Sequence, residues 1–449
     1  MPDSLTQNLF RRSTEKGLVF LFLAALVLRL GYLAVMLNQV TPEQVMGLTS
    51  DTVNYVDTAK GLLGLQPLDQ QWIFLFGPGY GVFLAACFFL FGVGPIAAIL
   101  VQIILSCLTC LLLYAFGKEL TGSRAVGYVA GSISATSFTA ISQATILLSD
   151  TLFFFLFLAG NLLFVRGLKN GRRAYFVWSG IAIGVAVLTR AVGQFWPPIL
   201  IILIGILPMA DFDPNVFPNR RRLFTRAIIA PLIALAIMGG WSVRNHFVNG
   251  MTMVAGSGLH GLGRLTAYTQ MKLENREFNE VYTGWAIQYK RDHQIDDIPL
   301  REWYTLVEHK AGRMMAEHPG AMLWYYLGRI KVNVTAANEL YVHQLPRSRD
   351  SISHLMGHFH RALLPYVIPF LTVWSFGLMI KLRRWLPALF LGSMYLLFFF
   401  MVGFGMWQGS RLFFPAQIAW SVVISYLVVE YWPRLRWLLY PPIDGVKSF

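Results

Sequence analysis

Apolar runs of about 20 residues recur along the chain, the length needed to cross a bilayer core. They read as membrane spans at 18–37, 96–116, 126–147, 151–165, 175–189, 194–209, 227–243, 362–380, 386–404 and 412–430. The run 151–165 is short, so it is expected to begin a few residues earlier or to meet a thinner bilayer. Another run, Gly79–Phe91, is shorter still and ends at Gly92, Gly94 and Pro95. A run of that length suits an interfacial or re-entrant helix.

Basic clusters decide between the two topologies. If Gly79–Phe91 crosses, the loop with Lys118 and Arg124 lies outside and the later basic loops invert with it. If it does not cross, that loop joins Arg166/Lys169/Arg172/Arg173, Arg220/Arg221/Arg222/Arg226, Lys381/Arg383/Arg384, Arg434/Arg436 and the basic N-terminus on one side. The positive-inside rule selects the second arrangement. The expected fold is therefore an all-α polytopic membrane protein. It has about ten transmembrane helices, both termini inside, and external regions 38–94 and 244–361. The second external region mixes both signs of charge. Within it, 319–337 is apolar on much of its circumference but interrupted by Arg329 and Lys331, which reads as an interfacial amphipathic helix.

Composition agrees: 13% of residues are charged and 55% hydrophobic, at a mean hydropathy of +0.53. Soluble domains carry about a quarter charged residues. The net charge of +14 lies in clusters between spans, so it marks topology and not a nucleic-acid partner. Cys87, Cys107 and Cys110 all lie in apolar segments and read as small buried residues. No metal site is expected.

Candidate chemistry gathers where the large loops lie. In the first external loop, Ser50 is placed to cap a short helix, with Asp51, Asn54, Tyr55 and Thr58 on one face and Asp57 on another. Asp51 serves there either as a reactive carboxylate or as a helix-dipole partner. Asp150 sits between two apolar runs, where a carboxylate is expensive without a polar cavity or partner; capping the following helix is its plainer role. Arg190, Arg244 and Arg411 mark helix ends on the same side, against the charge bias, and guanidinium suits phosphate. The glycine-rich stretch from Gly256 through His260 to Arg264 offers backbone N–H groups to a ligand.

In this order the motifs resemble the GT-C superfamily of membrane glycosyltransferases that use polyprenyl-phosphate sugars. Relatives include the lipid A aminoarabinose transferase and the protein O-mannosyltransferases. The matching residues are Asp51, the Gly-Pro-Gly-Tyr of 77–80, the Leu-Ser-Asp of 148–150, the Leu-Thr-Arg of 188–190, the Trp-x-x-Arg-Asn of 241–245 and the Arg-x-x-x-Pro of 411–415. The resemblance covers about 1–265 and the last helix. It implies a GT-C-like catalytic module over 1–265, an external region over 266–361 and C-terminal membrane helices over 362–449. The Glu-Lys pair of the aminoarabinose transferase is replaced here by Phe74-Leu75-Phe76, which removes a lysine–phosphate contact at that place.

The resemblance implies sugar transfer from a polyprenyl-phosphate donor to a lipid, glycan or protein acceptor at the external face of a bacterial inner membrane. The reaction is expected to invert configuration, with Asp51 as general base and Asp150 orienting the acceptor or sharing that role. Arg190, Arg411 and Arg264 would hold the donor phosphate. Tyr55, Tyr80, His260 and Arg244 would contact substrate. No cofactor is called for; a divalent metal is compatible with the resemblance but not required. The rival class is a polytopic transporter or glycolipid flippase, which predicts charges deep along a path. Here only Arg29 stands deep in the first span.

Overall fold

The computed structural model describes residues 4–206, 220–335, 352–405 and 410–439, which are almost wholly helical with no strand among them. The first long helix, α1 (Ser4–Leu37), leads into short helices α2 (Pro42–Val45), α3 (Ser50–Leu62) and α4 (Gln70–Phe76), then α5 (Gly79–Phe91). The bundle continues with α6 (Pro95–Thr121), α7 (Arg124–Thr136), α8 (Phe138–Ala144), α9 (Asp150–Asn170), α10 (Arg173–Thr189), α11 (Trp196–Ile206), α12 (Arg220–Ala227) and α13 (Ile229–Asn249). A second layer follows: α14 (Ser257–Glu274), α15 (Phe278–His293), α16 (Leu300–Glu317) and α17 (Pro319–Thr335). The chain then returns through α18 (Ile352–Lys381), α19 (Trp385–Met401), α20 (Ser410–Phe413) and α21 (Gln417–Leu439).

Six helical stretches are long and apolar enough to cross a membrane: Glu15–Leu37, Pro95–Thr121, Asp150–Asn170, Thr225–Asn249, Trp385–Phe404 and Arg411–Tyr431. Shorter apolar helices Arg173–Thr189, Ala191–Ile206 and Val367–Lys381 pack beside them. The chain is thus a multi-pass membrane protein. The core is aromatic: Phe153, Phe157, Phe164, Trp196, Phe390 and Phe398 are all buried where α9, α11 and α19 meet. The Trp196 indole donates to Asn161 Oδ1 at 2.8 Å, which satisfies a buried amide inside the bundle.

Three expectations change. The span 126–147 is not one helix. It breaks at Ser137, in extended backbone, into α7 and α8, and 145–149 runs on as buried irregular chain. Such backbone is tolerated at membrane depth only where protein satisfies it. The guanidinium of Arg29, fully buried in α1, donates to the carbonyls of Ser134 and Ala135, both at 3.3 Å, and so caps the broken end of α7. It also donates to Ser106 Oγ at 2.8 Å and to its own Ala25 carbonyl at 3.0 Å. Secondly, the short span 151–165 becomes Asp150–Asn170, growing at its C-terminal end, where Gly171 stops it at φ +64°. Thirdly, the glycine-rich stretch, expected to offer backbone N–H groups to a ligand, is helical: 257–264 opens α14. The glycines give close packing, since a Cβ at Gly261 would meet the Phe404 carbonyl oxygen at 2.7 Å. The ends of the expected elements 194–209 and 319–337 lie outside the described residues.

Helix α5 has the predicted bounds, and α4 and α5 form a bent pair at 118°. Gly77 makes the corner at φ +86°, a region open to glycine. There is no room for a side chain either, because a Cβ on Gly77 would stand 2.5 Å from the Leu188 carbonyl oxygen and one on Gly79 would stand 2.8 Å from Thr189 Cα. The Gly-Pro-Gly corner therefore abuts the end of α10, directly before Arg190.

The break at Ser137 makes Arg29 testable. Replacing it by Met leaves two buried carbonyls without a donor, at about 1–3 kcal/mol each. Arg29→Met in detergent is expected to unfold at a clearly lower temperature than wild type. An unchanged midpoint would show that α7 needs no cap from α1.

Candidate active site

Helix α3 is capped by Thr49, whose hydroxyl accepts from the Thr52 amide at 3.0 Å; Ser50, the expected cap, is instead the first helical residue. This puts Asp51 in the first turn, partly exposed. Asp150 is the first residue of α9, but its carboxylate does not cap that helix. Its side chain is fully buried. One oxygen accepts from Arg190 Nη1 and the other from Arg411 Nε at 3.0 Å. Arg411 also donates through Nη1 to Asp51 Oδ2 at 3.0 Å. Four residues spread over 360 positions of sequence thus form one chain: Arg190–Asp150–Arg411–Asp51.

The ends of α9, α10 and α20, and the start of α3, therefore meet at one end of the bundle. The cluster holds two carboxylates and two guanidiniums, so its formal charge is zero. This changes the expectation for Arg190 and Arg411: each engages a carboxylate, and neither is a spare cation for phosphate in this arrangement. The carboxylates also differ from one another. The Asp150 side chain is 0% exposed with both oxygens bound, whereas the Asp51 side chain is 18% exposed and only Oδ2 is bound.

The expected substrate contacts divide. Tyr55 and Tyr80 are buried, with ring centroids 4.7 Å apart, and present no open face to a sugar. The Tyr55 hydroxyl donates to Ser149 Oγ at 3.0 Å, and the Tyr80 hydroxyl donates to Gln102 Oε1. Gln102 Nε2 in turn donates to the Ile146 carbonyl at 2.8 Å. Both rings thus brace the irregular segment ahead of Asp150. Burial, then the Asp51 charge, push the Tyr55 phenol upward, so it stays a proton donor. Arg244 is also structural: it donates to Gln70 Oε1 and Asn245 Oδ1 and lies over the Trp241 ring at 4.7 Å, tying α13 to α4. Asp57, on another face of α3, offers its backbone carbonyl to Gln66 at 3.0 Å.

His260 and Arg264 remain near the cluster, one helical turn apart on α14. Burial and the Arg264 charge hold the His260 imidazole down to about 4, against the opposing pull of Asp51. It is therefore neutral at pH 7, within the electrostatic reach of both Arg264 and Asp51. Its Nδ1 lies 3.5 Å from the Tyr282 hydroxyl. Gln102 and Ser149 were missed from the sequence, although a glutamine inside an apolar helix is itself a signal. Among the described residues no group of three or more His, Cys, Asp or Glu could hold a metal ion.

The described residues form long apolar helices, with an ionic cluster and short helices packed at one end. Residues 77–209, less than a third of the chain, match the family described as dolichyl-phosphate-mannose-protein mannosyltransferase. The oligosaccharyltransferase AglB from Archaeoglobus fulgidus, solved in complex with an inhibitory peptide and a dolichol-phosphate, has a TM-score of 0.54 at 14% identity over 97% of this chain and 52% of that one. The same archaeal protein in complex with Zn and sulfate gives 0.53 at 14% identity, over 94% and 49%. ArnT from Cupriavidus metallidurans bound to undecaprenyl phosphate is 18% identical over 96% of this chain and 83% of that one, but its TM-score of 0.34 is too low to carry an argument. This chain spans about half the length of the archaeal structures. No curated protein sequence matches it. The resemblance drawn from the sequence motifs holds at the level of the fold.

The difference between the two aspartates has a measurable consequence. Removing one partner from a buried ion pair costs about 3–5 kcal/mol; loss of the Asp51 charge costs less, because Asp51 is partly exposed and Arg411 keeps Asp150 as its partner. Asp150→Asn is expected to lower the unfolding temperature in detergent sharply, and Asp51→Asn only slightly. Equal losses would show that Asp51 is as structural as Asp150.

Proposed function

We propose that this chain is a glycosyltransferase that moves a sugar from a polyprenyl-phosphate donor to a lipid, glycan or protein acceptor, at the non-cytoplasmic face of the membrane. The observation that carries this reading is the asymmetry of the cluster. Asp150 is locked by two arginines, while Asp51 keeps an unbound oxygen at the same spot. One carboxylate is fixed as an anchor and the other is left available.

In the proposed reaction the acceptor hydroxyl or amine attacks the anomeric carbon, and the bond to the phosphate oxygen breaks on the opposite side. Asp51 Oδ1 takes the acceptor proton. The phosphate leaves with the bonding electron pair as an anion. The configuration at the sugar inverts. Arg411 bridges Asp51 to the buried Asp150 and so fixes the orientation of the base. That is an economical way to hold geometry, since a base must lie within hydrogen-bond reach of the attacking group. The family matched by 77–209 and the dolichol-phosphate of the archaeal neighbour support a lipid-phosphate donor. The basic loops on the opposite side support the external placement; for a bacterial cell that face is the periplasmic one.

Purified protein is expected to transfer labelled sugar from a polyprenyl-phosphate donor without a second compartment. A positioned general base contributes about 10² to 10⁴ in rate. Asp51→Asn should therefore lose about that much in single turnover, and Asp57→Asn little. A near-normal rate for Asp51→Asn would remove it from the base role.

Sidedness is checked separately in whole cells. Cysteine introduced at the exposed positions Ala125 and Gln288 should be labelled from opposite faces, with Gln288→Cys on the outside. Labelling of both from one face would invert the topology.

A further inference from the structure

The second layer of helices encloses a cavity of about 380 Å³ that the ionic cluster does not use. That volume lies within the range of small-molecule sites. It sits between α4, α15 and α16. Neither α15 nor α16 is among the helices long and apolar enough to cross a membrane. Both carry exposed charges, such as Glu280, Arg291, Arg301 and Glu302, so the cavity belongs to the aqueous layer and not to the acyl chains.

The walls are set by contacts within the protein. Trp285 Nε1 donates to Gln270 Oε1 at 3.0 Å, which ties α15 to α14. The Gly256 amide donates to the Phe74 carbonyl at 2.9 Å, and the Phe74 and Tyr304 rings lie 5.7 Å apart, which ties α4 to α16. Tyr282 and Trp303 meet edge to face at 5.5 Å, and both line the cavity. Ile298 and Leu300 extend that apolar wall, while Gln71, Thr283 and Lys290 supply polar groups. Gln71 and Thr283 are exposed, and neither side chain has a hydrogen-bond partner among the described residues. Lys290 Nζ lies 3.5 Å from Asp297, whose side chain is wholly exposed, so that pair is weak and open to exchange.

This mixture selects a class of ligand. All of the lining residues except Ile298 lie in helices, where backbone groups are already bonded to one another. A peptide adding as a strand would find no backbone partners there. Recognition must come from side chains. A saccharide ring fits that demand: its C–H faces suit aromatic and aliphatic walls, and its hydroxyls suit an amide, a hydroxyl and an ammonium, which together both donate and accept. The cavity also adjoins the candidate acid. The Tyr282 hydroxyl lies 3.5 Å from His260 Nδ1, and α4 ends at the Gly77 corner, packed on Leu188 just before Arg190.

We propose that the cavity between α4, α15 and α16 binds a saccharide unit of the acceptor, with Tyr282 and Trp303 as its apolar wall and Gln71, Thr283 and Lys290 holding its hydroxyls. The acceptor is thereby narrowed to a molecule that already carries a sugar. Its purpose rests on the glycosyltransfer reading; the binding itself does not.

The test is binding without donor or turnover. Full-length protein, in a detergent with no sugar headgroup, is titrated with the methyl glycosides of glucose, galactose, mannose and N-acetylglucosamine, with glucuronic acid, and with a serine tripeptide capped at both ends. Saturation-transfer NMR reads each. At least one saccharide should bind wild type, and the tripeptide should not. Thr283→Trp fills the mouth from an exposed position and should abolish that binding. Gln71→Ala should weaken it about fivefold, the size of one neutral hydrogen bond. Trp178→Ala, an exposed residue of α10, should bind like wild type. If Thr283→Trp fails to fold, Gln71→Ala decides, since that side chain has no partner to lose. No saccharide bound by wild type, or wild-type affinity in both cavity variants, overturns the site. Binding of the tripeptide in place of the saccharides gives the cavity to a protein acceptor and overturns the saccharide assignment. Saccharide binding without any sugar transfer from a polyprenyl-phosphate donor would leave the cavity standing and remove the glycosyltransfer reading. Sugar transfer without saccharide binding would do the reverse.

Discussion

The double ion pair of Asp150 is the constraint on which the rest of the arrangement depends. A carboxylate with no water around it must be matched in charge and in hydrogen bonds, or it will not stay ionised there. Arg190 and Arg411 supply both, one to each oxygen. Satisfying Asp150 therefore fixes where α10 ends and where the chain re-enters the bundle after α19. Arg411 then reaches Asp51, so the same interaction sets the first turn of α3. A buried ion pair is weak evidence for stability, because an apolar replacement can do as well. What it supplies here is register: four segments distant in sequence have one relative position in which all the charges are matched.

The packing around the cluster follows from that requirement. The backbone at 145–149 cannot be helical if Asp150 is to open α9 and face two arginines. Its Ile146 carbonyl is met by Gln102, and its Ser149 hydroxyl by Tyr55. Gly77 and Gly79 let α5 lie against the last residues of α10 where any Cβ would collide with backbone. Arg29 caps the end that the break in α7 exposes. Each device handles the backbone groups left over when a continuous span is interrupted to build a site.

Much of this was legible in the chain, and the remainder failed for identifiable reasons. Periodicity and length located α5, α6, α10 and α13, because a bilayer imposes one length on apolar runs. Charges placed against the bias singled out Arg190, Arg244 and Arg411, and apolar flanks singled out Asp150. The break at Ser137 was invisible, since 126–147 carries no charged residue and the group that permits the break lies a hundred residues away in α1. Glycines at 256–263 suggested backbone N–H groups open to a ligand, yet Gly261 and Gly263 give close helix packing against Phe404 and Val307. Tyr55 and Tyr80 have the composition of a sugar platform, and only tertiary contacts show that both rings are covered. Arginine-to-carboxylate pairing was out of reach for the same reason: sequence shows which charges exist, and the fold decides which of them cancel.

That last point separates scaffold from site among the polar groups buried in this protein. Arg29, Gln102, Asn161 and Arg329 all interrupt apolar helices and look alike as letters. Arg29 meets carbonyls and a hydroxyl, Gln102 accepts from Tyr80 and donates to backbone, and Asn161 is matched by Trp196. Their hydrogen bonds close within the protein, so each is explained by the fold. Arg329 does not close: its Nη1 is buried with no partner among the described residues, and its Nη2 reaches only the Arg264 carbonyl. Natural interiors rarely leave such a group without a partner. That difference, between buried groups whose hydrogen bonds close within the protein and one whose do not, is a property of the fold that the sequence alone could not show.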